Sequence, residues 1–91
     1  MGRRVLYVAP NRQEALRHFE DMLLTNAPAQ FCRRKLCMAV GEDFFHVVVV
    51  ANMHDFEQVR GVVYSELRYV GGYRPSEEMQ SWLRTRIRPM A

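Results

Sequence analysis

Ninety-one residues suffice for one domain built on a single core, and 48% hydrophobic against 25% charged residues is the balance of a folding globular chain, well away from disordered compositions. No apolar run approaches the ~20 residues of a membrane-crossing helix, so neither a bilayer span nor a secretory leader is expected and the chain reads as cytoplasmic. The net charge of +3 comes from twelve arginines and one lysine, Lys35, against 10 acidic residues; guanidinium groups suit bidentate binding of carboxylate or phosphate, on an acidic protein surface or on nucleic acid.

Val5-Leu6-Tyr7-Val8-Ala9 is a short apolar run stopped by Pro10, the pattern of a strand buried on both faces of a parallel sheet. Asn11 stands at a helix-cap position with Glu14 three residues on, and Ala15, Leu16, Phe19, Met22 and Leu23 recur at helical spacing, which predicts a helix over 12–25. Thr25-Asn26-Ala27-Pro28 ends it.

Two strands are predicted next, Phe31–Val40 and Phe44–Ala51, joined by a hairpin turn at Gly41-Glu42-Asp43. Cys32 and Cys37 then lie in one strand, five residues apart on opposite faces, and are expected to be unbridged thiols. The segment 52–60 reads as a loop or one helical turn. Residues 62–70 form another strand candidate that runs out at Gly71-Gly72, and Ser76 caps a last helix over 76–88, with Met79, Trp82, Leu83 and Ile87 on its apolar face. The whole predicts a single α/β domain over 1–91, a small mixed sheet of about four strands with two main helices in the order β-α-β-β-β-α.

No chemistry-bearing set assembles from spacing. The histidines and cysteines lack paired zinc-ligand spacings, no metal or cofactor is expected, and Ser65, Ser76 and Ser81 have no histidine nearby in sequence. The candidate binding residues are Tyr69, Tyr73 and Arg74, an aromatic and basic loop; Arg84 and Arg88, four apart on the last helix; and Arg33 with Lys35, which share one face of their strand.

Several short patterns, taken together, resemble the middle of the RecA-type ATPase domain of phage large terminases and related helicases. These are the strand ending at Pro10-Asn11, Gln13-Glu14-Ala15 early in a helix, a hairpin at Gly41, the pair Arg60-Gly61, and an apolar strand closing on Tyr64-Ser65-Glu66. The resemblance covers about residues 3–67 and implies a degenerate Walker B-like element at Ser65 and Glu66. It departs where a phosphate loop should be, because Lys35 is followed by Leu36 and no glycine lies between Gly2 and Gly41. Hydrolysis of ATP by this chain alone is therefore not expected.

The function expected is that of a small non-catalytic, protein-binding accessory module, phage-encoded if the resemblance holds, acting on host or phage machinery. The alternative is a nucleic-acid-binding accessory protein, or a remnant or partner of a terminase or helicase ATPase that lacks its phosphate loop. Homo-oligomerisation is compatible with a small sheet that leaves an edge to cover.

Overall fold

The computed structural model describes residues 2–51 and 63–88. Strand β1 (Arg4–Ala9) is followed by helix α1 (Arg12–Asn26), and then β2 (Gln30–Cys32), β3 (Cys37–Val40) and β4 (Asp43–Val49). Strand β5 (Glu66–Tyr69), a 3-10 turn (Val70–Gly72) and helix α2 (Glu77–Arg84) complete the described chain. The five strands form one mixed sheet in the order β2-β3-β4-β1-β5, with β1 parallel to both β4 and β5 and the β2-β3-β4 meander antiparallel.

Alternation along β1 and β4 divides the core in two. Val5 and Ala9 of β1 and Phe45 and Val47 of β4 pack with Ala15, Phe19 and Met22 of α1 on one face. Leu6, Val8, Val48 and Val50 pack with Met79 and Leu83 of α2 on the other. The continuous apolar run of β1 follows from this, since both of its faces are covered by a helix.

Helix α1 starts where its cap predicts: the Asn11 side chain accepts from the Glu14 amide at 2.9 Å. It stops at Ala27, whose left-handed backbone (φ 44°) sends its N–H to the Leu23 carbonyl at 2.9 Å. Gly41, at φ 61°, makes the turn between β3 and β4, again as its position predicts.

Three expectations need correction. The stretch 31–40 is two strands, which makes the sheet five-stranded: the chain reverses through Arg33-Arg34-Lys35-Leu36, with Leu36 at φ 53°. Reversal leaves the three cations in water while Leu36, 4% exposed, and Met38, 1% exposed, enter the α1-side core. Cys32 and Cys37 are therefore direct partners across the β2–β3 ladder, on the same face.

The second correction concerns β5, which begins only at Glu66; Tyr64 makes a separate parallel bridge to Ile87. The third concerns the last helix, which ends at Arg84 and not at 88. Beyond it the backbone pairs with Tyr64, from the Tyr64 amide to the Arg86 carbonyl at 3.0 Å and from the Arg88 amide to the Tyr64 carbonyl at 2.7 Å. Ile87 thus extends the sheet edge outside the helix, and Trp82, expected in the core, is half-buried at its rim while Leu83 is fully enclosed. The segment 52–60 lies outside the described residues.

Candidate functional site

Three of the predicted binding residues, Tyr69, Tyr73 and Arg74, line one region between β5 and α2. Strand β5 ends at Tyr69, Val70 anchors the chain in the core, and Gly71 and Gly72 take φ values of 61° and 74° that side chains rarely adopt. This double left-handed step swings Tyr73 back over the sheet, where its hydroxyl donates to the Val50 carbonyl at 2.9 Å. Pro75 is buried, and the Ser76 hydroxyl accepts from the Met79 amide at 3.3 Å to start α2.

A cleft of about 440 Å³ opens here, bounded by Leu67, Arg68, Tyr69, Tyr73, Arg74 and Gln80. Its wall is set by local bonds: the Gln80 amide donates to the Pro75 carbonyl at 2.7 Å, and Arg68 leans on the Glu66 carboxylate at 3.6 Å. Arg74 has no acidic partner among the described residues. Burial pushes the Tyr69 hydroxyl above its ordinary pKa, and the nearby Arg84 charge opposes that shift without cancelling it. The cleft thus joins two aromatic walls, Tyr69 and Tyr73, to the guanidinium groups of Arg68 and Arg74, with the Arg84 charge close enough to act on Tyr69.

Arg33 and Lys35 are not part of this grouping. They stand on the turn between β2 and β3, whereas Arg88 pairs with Tyr64 beyond β5, so the two sets occupy opposite edges of the sheet. From β3 to β5 are three interstrand steps, about 14 Å at ~4.8 Å each. Arg33 is also committed: it ion-pairs with Glu20 of α1 and its guanidinium lies 5.7 Å from the Phe31 ring centroid. Nor do Arg84 and Arg88 share a helix face, since the helix stops between them.

Lys35 instead joins Arg12 and Arg34 around a second cleft of about 470 Å³ against His46, Val47 and Val49. Burial lowers the pKa of His46, and its Nδ1 is hydrogen-bonded to the Tyr64 hydroxyl at 2.8 Å. Arg12 and Arg34 are companions that sequence reasoning missed, because they meet only when the β2–β3 turn folds back beside β4. No periodicity signals that approach.

Ser65 and Glu66 stand at the amino-terminal start of β5, beside the start of β1, and not at the carboxyl end where α/β sheets gather their ligands. Their groups are structural: Ser65 Oγ accepts from the Arg4 amide at 2.9 Å and donates to the Arg4 carbonyl at 3.2 Å, and Glu66 lies 3.5 Å from Arg3. Among the described residues, no three His, Cys, Asp or Glu side chains are grouped to hold a metal ion, and no helix is long and apolar enough to cross a membrane. No family model, curated protein or solved structure matches the chain.

Proposed function

We propose that this chain is a non-catalytic module that binds an acidic segment of a partner protein in the cleft between β5 and α2. The observation that carries this reading is the convergence of Tyr69, Tyr73 and Arg74 on one concave surface, with the Arg84 charge near Tyr69. Aromatic walls supply rigid contact area at low entropic cost, and the guanidinium group of Arg74, without an acidic partner among the described residues, offers bidentate bonds to a carboxylate. The non-catalytic part rests on the occupation of the available groups: Ser65 is bonded to Arg4, Ser76 caps α2, and His46 is held by Tyr64. The division of the basic residues between two sheet edges weighs against a continuous phosphate track.

The test has two arms. Tagged wild-type protein and a Tyr73→Ala/Arg74→Ala double variant are used as baits in the cell of origin, and retained proteins are compared by mass spectrometry; a protein with an acidic segment kept by the wild type alone is expected. In the second arm, anisotropy is measured with a fluorescent duplex at several salt concentrations. Tight binding whose log-log salt slope nears −3.6, as about four phosphate contacts at −0.9 each would give, and which weakens on Arg84→Ala, overturns the proposal in favour of nucleic acid.

A further inference from the structure

The β2–β3 hairpin carries the chain's two thiols, Cys32 and Cys37, as direct register partners at the mouth of the Arg33–Leu36 turn. Directly opposed residues of an antiparallel ladder point to the same face, with Cα atoms about 4.5–5.5 Å apart, inside the range of about 4.4–6.8 Å that disulfides span. Cβ atoms about 4.5–5.5 Å apart in such pairs must close by roughly an ångström to reach bonding range. Strand β2 can supply that movement, since it has three residues and hydrogen-bonds to β3 alone. Both thiols are half-buried and so open to a small reagent.

The surroundings select the kind of reagent. Arg34 and Lys35 have no acidic partner among the described residues, and both border the cleft beside this turn. The Lys35 charge favours the thiolate of Cys37, although burial wins and holds that thiol above its ordinary pKa. The thiols themselves border an uncharged cleft with Gln30, Phe31, Met38, Ala39 and Phe44, but the turn that joins them carries Arg34 and Lys35, so the local field is positive and favours an anionic disulfide.

We propose that Cys32 and Cys37 form a reversible intramolecular disulfide by exchange with an anionic low-molecular-weight disulfide of the oxidised-glutathione class. One protein thiolate attacks a sulfur of the reagent, whose S–S bond breaks and releases one thiolate, leaving a mixed disulfide. The second protein thiolate attacks the protein sulfur of that intermediate and expels the other reagent thiolate. The two protein thiols give up two protons and two electrons, and the reagent leaves as two thiols. The hairpin lies on the sheet edge away from the β5–α2 cleft, so this inference stands or falls independently of the binding proposal.

Wild-type protein is equilibrated with oxidised and reduced glutathione at graded ratios, quenched with an alkylating agent and read by intact mass. The expected oxidised species is lighter by two hydrogen atoms and carries no glutathione, whereas Cys32→Ser and Cys37→Ser each retain one glutathione. Wild-type protein that accumulates stable glutathione adducts or disulfide-linked dimers overturns the proposal, and this result needs no variant to fold. Oxidised glutathione should also react faster than cystamine, a cationic disulfide, with a lead that shrinks as salt is added; equal rates would remove the role assigned to Arg34 and Lys35.

Discussion

Replacing Leu83 with alanine tests whether α2 is held by Leu83, as the structure has it, or by Trp82, which dominates the apolar face read from sequence. Leu83 is 0% exposed, enclosed with Leu6, Val8, Val48, Val50 and Tyr64, and truncating it removes buried methyl groups from a site whose walls belong to two sheet strands. A rigid wall collapses poorly, so the loss should be about 3–4 kcal/mol. Trp82 is half-buried and its ring carries the Arg86 guanidinium at 4.6 Å, so Trp82→Ala should cost only about 1–2 kcal/mol, from partial burial and an outer cation–π contact. A domain of this length holds about 5–14 kcal/mol in total, so Leu83→Ala removes a large fraction and lowers the melting temperature by about 12–30 °C. Urea unfolding followed by far-UV circular dichroism gives both values with the slope checked for constancy, and it does not depend on tryptophan fluorescence. A larger loss from Trp82→Ala than from Leu83→Ala would refute the assignment of Leu83 as the anchor.

Asn11→Ala removes the side-chain acceptor of the Glu14 amide and should cost about 1 kcal/mol in urea unfolding, while Asn11→Ser should recover most of it; equal stability of all three proteins would show the cap to be idle. Tyr73→Phe deletes the donor to Val50 and is expected to cost about 0.5–1.5 kcal/mol, so an unchanged urea midpoint would contradict that bond's contribution. Burial lowers the pKa of both His18 and His46 below their ordinary 6.5. Below about pH 6.5 the unfolded chain therefore binds more protons than the folded one, so stability is full above that pH and falls on acidification. The urea midpoint should drop between pH 7 and pH 5, and His18→Gln should flatten the drop; a pH-independent wild-type midpoint would refute the linkage. At the alkaline end, burial pushes the Tyr64 hydroxyl to about 12 from an ordinary 10.0, so stability should fall as pH rises above 10, less steeply in Tyr64→Phe.

The division between what the residues announce and what the fold decides follows the range of the interactions. Helix α1 is legible because its signals act within a turn or two: an Asn11 cap bonded three residues on, and Ala15, Phe19 and Met22 at helical spacing, all buried as that spacing requires. Strand β1 and the Gly41 turn are legible for the same reason, the first from a continuous apolar run and the second from a residue free to take positive φ. The glycine pair at 71–72 likewise marks the end of β5 after Tyr69 and the loop that carries Tyr73 and Arg74.

What sequence alone misplaced depends on contacts far along the chain. Phe31–Val40 is apolar enough on either side of Arg33-Arg34-Lys35 to read as one strand, and only the pull of Leu36 and Met38 into the α1-side core forces the reversal that opposes Cys32 to Cys37. Residues 85–88 keep a helical pattern, yet the backbone of Tyr64, some twenty positions earlier, claims Arg86 and Arg88 as ladder partners and ends α2 at Arg84. Those two decisions carry Arg33 and Lys35 to one sheet edge and Arg88 to the other. A ladder hydrogen bond is indifferent to separation along the chain, so which basic residues share a surface is settled by strand order, a property of the assembled sheet.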